Sequence, residues 1–194
     1  ISSATQILTD GLWALLKHNQ YPLWHICVAL VTFISRMPIR YASGFVSGIF
    51  NALCYCAVCM YFNRREEHEC ISYTFISFLL LLIGPLCPNK YGFAILYWTP
   101  NPWHIPTHIA VRPIAVFAFV IILDILYEWQ QRKTISKKNA VLLSVLLVLT
   151  NIAKPSFAQI IIPGLGLYLV VYMLTERSRD SLVLFGKMLL IFVP

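Results

Sequence analysis

Hydrophobic residues in this chain gather in long runs instead of alternating with polar ones, and short breaks between the runs hold most of the charges and prolines. The runs cover residues 21–35, 41–62, 70–86, 109–127, 140–152, 158–175 and 182–194. At about 1.5 Å per residue a bilayer core needs about 17–25 helical residues, so the second, third, fourth and sixth runs predict membrane-spanning helices. The first and fifth are shorter. They predict either spans that borrow flanking residues or half-helices packed inside the protein, where irregular backbone is tolerated. No repeat or low-complexity stretch interrupts the pattern. The fold class expected is all-α: a polytopic transmembrane helical bundle of about six to seven membrane segments, forming one domain over residues 1–194.

Composition agrees. Of 194 residues, 59% are hydrophobic and 12% charged, too little polar surface to coat a water-soluble globule. Disorder, a disulfide-stapled secreted module and an ordinary cytosolic enzyme are all disfavoured. The chain opens on Ile1 and stops within an apolar run, which we read as a fragment of a larger membrane protein.

The net charge of +7 would suggest nucleic acid in a soluble protein, but here the basic residues sit in the breaks, where retention on the cytoplasmic side accounts for them. The expected partner is the lipid bilayer, with no nucleic acid. Taking the Arg132, Lys133, Lys137 and Lys138 cluster as cytoplasmic and alternating outward puts nine basic residues inside and five outside, among the latter Arg112 and Lys154. Cys54, Cys56 and Cys59 look like a metal motif, yet helical spacing spreads them around the helix and no His or carboxylate flanks them. Small buried thiols are the better reading.

Residues 87–108 form the longest break, rich in Pro, Gly and aromatics, and predict a long interfacial loop. Charges beside apolar helices each need a reason. Arg112 follows His108 at helical i, i+4 spacing, which puts both on one face, and His104 precedes them. With Pro106 at the first helical position, the free amides of a helix start would join two histidines and an arginine in an anion-binding group. The plainer alternative is an Arg snorkelling to headgroups beside interfacial histidines. Lys154, in a Lys-Pro turn on the same inferred side, would complete a cationic site suited to phosphate. Asp124, Glu128 and Arg132 read as a helix end with an internal ion pair. Asp10 stands alone before an amphipathic stretch, and a helix N-cap is the common use of such a residue.

In order along the chain, Asp10, the stretch to Asn19, Tyr21-Pro22-Leu23, Arg36-Met37-Pro38, Leu149-Thr150-Asn151-Ile152-Ala153-Lys154-Pro155 and Ile162-Pro163-Gly164 resemble the bacterial GT-C superfamily. These are membrane glycosyltransferases that use polyprenyl-phosphate sugars, and they include protein mannosyltransferases and aminoarabinose transferases. Two features depart from the family pattern: its first catalytic loop usually carries paired acids, whereas Asp10 is single, and its first membrane helix has no counterpart here. The segment Asn101-Pro102-Trp103-His104-Ile105-Pro106-Thr107-His108 also resembles a motif of membrane proteins from bacterial polysaccharide loci.

The resemblance implies a multi-pass protein of the bacterial cytoplasmic membrane. Its activity would be transfer of a sugar from a polyprenyl-phosphate donor to an extracytoplasmic acceptor: a cell-surface polysaccharide, lipid or protein. Asp10, in a first extracytoplasmic loop at residues 1–20, is then the candidate catalytic base, and His104, His108, Arg112 and Lys154 the candidate ligands of the donor phosphate. A divalent metal bridging Asp10 and a histidine is compatible with this chemistry, although no ligand-spaced motif calls for one. Strict alternation leaves residues 1–20 cytoplasmic; a re-entrant first run, or one packed beside a short extra helix near residues 92–98, would reconcile the two. The rival reading is a transporter, flippase or polymerase segment handling a lipid-linked oligosaccharide.

Overall fold

The computed structural model describes residues 21–63, 87–89, 92–94 and 106–192. In chain order they form helix α1 (Leu23–Ser35), helix α2 (Ile39–Asn63), strands β1 (Cys87–Asn89) and β2 (Gly92–Ala94), and helices α3 (Pro106–Arg132), α4 (Lys137–Ala153), α5 (Ser156–Glu176) and α6 (Arg179–Phe192). Three of these, over Ile39–Phe62, His108–Arg132 and Ser156–Glu176, are long and apolar enough to cross a membrane. They coincide with the second, fourth and sixth hydrophobic runs. The third run, at residues 70–86, lies outside the described residues. Large apolar side chains on these helices and their neighbours face outward, among them Ile34 at 78% exposure, Ile160 at 74% and Leu190 at 79%. Such surface is costly in water and favourable against lipid.

The chain divides into two compact units, Ile1–Val116 and Phe117–Pro194. The division falls within α3, a helix of 27 residues that contributes to both. A hydrophobicity pattern marks where helices run but not which of them share a core.

In the first unit α1 and α2 form a hairpin. Arg36 ends α1 in the left-handed conformation, φ 56°, and Pro38 begins the next helix by accepting from the Tyr41 N–H at 2.9 Å. Pro38 also disfavours helical backbone at Met37, so the turn follows from the sequence. Trp24, Val28 and Ala29 of α1 and Ala42, Val46, Cys54 and Ala57 of α2 are buried. With 13 residues, α1 is about 20 Å long and shorter than a bilayer core of about 30 Å, as expected for the first run.

Within the segment expected to be a long loop, two short strands are described. Cys87–Asn89 pairs antiparallel with Gly92–Ala94, with Pro88 opposite Phe93. Residues 92–94, at the start of the stretch where a short extra helix was one option, take β backbone, and residues 95–98 lie outside the described residues. A lone two-stranded ladder tolerates Pro88, since its missing N–H can face outward. α3 starts at Pro106, the position expected of a helix-opening proline.

In the second unit the C-terminal part of α3 packs with α4, α5 and α6 around Ile122, Ile125, Trp129, Leu143, Leu147, Leu165, Leu169, Leu184 and Met188. Ser144 Oγ donates to the Ile191 carbonyl at 3.3 Å, tying α4 to α6. Ser178 caps α6, its hydroxyl accepting from the Ser181 N–H at 3.2 Å.

Candidate functional site

Pro106 is the first residue of α3, the position its missing N–H favours. His108 and Arg112 follow one turn apart on one side of this helix, and both are half-buried. Between and beside them Ile109, Ala110, Val111 and Pro113 are buried, so the guanidinium springs from an apolar wall. Arg112 lies within electrostatic reach of the Cys54 thiol on α2. All of these residues belong to the first unit.

Lys154 belongs to the second unit. It separates α4 from α5 in extended backbone, φ −174°, with its N–H returned to the Thr150 carbonyl at 2.7 Å, and Pro155 prevents the first helix from continuing. Its side chain is half-buried. Thr150, one turn earlier, is fully buried and donates to the Leu147 carbonyl at 2.7 Å. Thus His108 and Arg112 share a helix face as spacing predicts, while Lys154 occupies the turn where one run gives way to the next. Asp10 and His104 lie outside the described residues.

At the end of α3 Glu128 is engaged across the turn. Both Glu128 oxygens reach across the turn to α4: Oε2 accepts from the Ser136 N–H at 3.2 Å and Oε1 from Asn139 Nδ2 at 2.9 Å. An unpaired N–H at a helix start is a better partner for this half-buried carboxylate than the exposed Arg132. Asp124, Tyr127, Glu128, Gln131 and Arg132 together line an open cleft along this end of α3.

On α2, Cys54 is buried, Cys59 half-buried and Cys56 exposed, so the three thiols point different ways. Among the described residues no three His, Cys, Asp or Glu side chains converge as a metal site.

Sequence reasoning passed over Asn51 and Trp24. Both are buried, and Asn51 Nδ2 and Trp24 Nε1 have no hydrogen-bond partner among the described residues. The His25 ring meets Trp24 edge to face, centroids 5.2 Å apart, and its Nδ1 is likewise unpartnered. A signal was present in the sequence: an amide halfway along an apolar span is expensive and needs a reason.

No family model, curated protein or solved structure matches this chain.

Proposed function

We propose that this chain is part of a GT-C-like glycosyltransferase of the bacterial cytoplasmic membrane, with six to seven segments crossing or entering the bilayer, that moves a sugar from a polyprenyl-phosphate donor to an extracytoplasmic acceptor. The observation that carries the reading is Arg112: a guanidinium held half-buried in the second turn of a membrane helix, one turn after His108, with apolar residues around its base. A cation kept at that depth has a use for its charge, and a departing lipid phosphate at the membrane surface is a fitting partner. The ordered motifs from Asp10 to Gly164 support the same family.

In this chemistry the acceptor hydroxyl attacks the anomeric carbon, Asp10 takes its proton, and the bond to the phosphate oxygen breaks. Arg112, with His104 and His108, balances the charge that develops on the leaving phosphate. Glycosyl transfer by the full-length protein in proteoliposomes, with a polyprenyl-phosphate sugar as donor, tests this. Arg112→Gln should lower turnover about 10²-fold or more, in the range of lost electrostatic stabilisation, and Arg112→Lys should recover part of it. Unchanged turnover in Arg112→Gln would return this residue to headgroup snorkelling. Lipid-linked oligosaccharide movement without transfer would favour the transporter reading.

A further inference from the structure

In the second unit the turns joining α3, α4, α5 and α6 are two to four residues long, so neighbouring helices run antiparallel and the turns fall alternately at its two ends. Residues 133–136 and 177–178 therefore share one end, and Lys154-Pro155 occupies the other. The core agrees: Trp129, Leu143, Leu169 and Leu184 belong to one cluster, and each lies within about two turns of the shared end. Arg132, Lys133, Lys137 and Lys138 beside the first turn and Arg177 and Arg179 beside the second are all exposed. Among the described residues of this unit, Lys154 is the only charged side chain at the opposite end.

Two further observations show positive charge held at this end against local preference. Lys133 and Arg177 take the same place after α3 and α5, each in left-handed backbone, φ 54° and 46°, where glycine is the usual residue. Both turns thus keep a cation where glycine would relieve the backbone. Lys187 sits two turns into α6, yet its Nζ lies 5.1 Å from the centroid of the Trp129 ring, one turn from the end of α3. A cation rooted within the helix is in this way extended toward the same end. Opposing charge is small, because Glu128 is engaged by the start of α4, leaving Glu176 and Asp180 nearby. Retention on one side of the membrane counts basic residues near a span and makes no demand that a cation take the glycine position.

We propose that this end of the second unit binds the anionic headgroups of phospholipids, with Lys133 and Arg177 contributing from the two turns. The helices that end there include α3 and α5, both long and apolar enough to cross a membrane, so the cations stand at headgroup level. There each lysine or arginine adds about fivefold in affinity for an acidic leaflet. A zwitterionic headgroup offers the cluster no net charge, whereas a phosphodiester without an ammonium partner does. The inference does not depend on sugar transfer or on Arg112.

The full chain in phosphatidylcholine nanodiscs containing increasing phosphatidylglycerol tests this through thermal unfolding, with affinity read from the phosphatidylglycerol fraction at half-maximal stabilisation. Phosphatidylglycerol should stabilise the protein, and added salt should weaken the effect. Lys133→Gly combined with Arg177→Gly removes both charges and relieves both turns. Its stability in pure phosphatidylcholine should match or exceed that of the parent, while affinity for phosphatidylglycerol falls about twentyfold. Lys133→Arg combined with Arg177→Lys should keep the affinity. Equal stabilisation by the two lipids, unchanged affinity in the double glycine variant, or inorganic phosphate stabilising the protein in pure phosphatidylcholine as well as phosphatidylglycerol does overturns the proposal. Loss of affinity in the charge-conserving variant would trace the effect to the shape of the turns and overturns it too.

Discussion

Among the described residues three basic ones adopt left-handed backbone: Arg36 at φ 56°, Lys133 at φ 54° and Arg177 at φ 46°. Each directly follows a helix. The N–H groups of Lys133 and Arg177 close back on the carbonyls of Trp129 and Met173, both at 3.0 Å. Glycine or asparagine is the usual occupant, because a side chain there costs about 1–2 kcal/mol. A cation at a helix C-terminus recovers part of that cost from the helix dipole and the neighbouring headgroups. The sequence marks these residues only as charges in breaks, since left-handed caps are normally recognised by glycine. Lys133→Gly should therefore leave stability unchanged or raise it by up to about 1 kcal/mol, and Lys133→Val should lower it by about 1–2 kcal/mol, because a β-branched residue resists positive φ. Thermal unfolding of the detergent-solubilised variants measures both, and a destabilised Lys133→Gly would show that the charge outweighs the backbone.

At the scale of elements, the turn between α3 and α4 shows how a side chain eleven residues away completes a helix start, with Glu128 bound to Asn139. Ser136 occupies the cap position but makes no side-chain capping bond, and the carboxylate serves instead. Glu128→Ala should cost about 1–2 kcal/mol, and Asn139→Ala should add little once Glu128 is gone. A double-mutant cycle on unfolding free energies measures this coupling, and full additivity would remove the proposed link. The same turn carries Arg132, Lys133, Lys137 and Lys138, which is why the basic cluster is expected on the cytoplasmic side. Ser136 is exposed and its hydroxyl caps nothing, so Ser136→Cys offers a label site with little structural effect. An impermeant maleimide should react only after the cytoplasmic face is opened; modification from outside intact cells would invert the topology.

For the whole molecule, the two compact units assign the candidate residues differently from their order in a motif. His108 and Arg112 belong to the first unit with the Trp24–Asn51 hairpin, and Lys154 belongs to the second, which has its own core around Ile122 and Leu143. Asp10 gives the sharpest test of the proposed transfer. Asp10→Asn keeps the shape and a capping hydrogen bond while removing the base, so transfer in the full-length protein should fall about 10²–10⁴-fold with donor binding retained. A capping role alone would instead appear as about 1 kcal/mol of stability with near-normal turnover. Steady-state transfer measured alongside thermal unfolding separates the two.

The positions of three helices long and apolar enough to cross a membrane were determined by sequence alone, because apolar runs of sufficient length favour helical backbone. So were the start of α3 at Pro106, the His108–Arg112 face and the break at Lys154-Pro155, each set by local backbone rules that act within a turn or two. Tertiary structure decided what depends on a neighbour distant in sequence: that α3 contributes to two units, that Glu128 caps α4 across the turn, and that Cys87–Asn89 finds Gly92–Ala94. It also decided which polar atoms are left without partners. An asparagine in an apolar run shows its cost in the sequence, but only the packing around it reveals that Asn51 is buried with its amide nitrogen unpartnered among the described residues. Hydrogen-bond satisfaction depends on every surrounding atom, and a linear pattern carries no record of those surroundings.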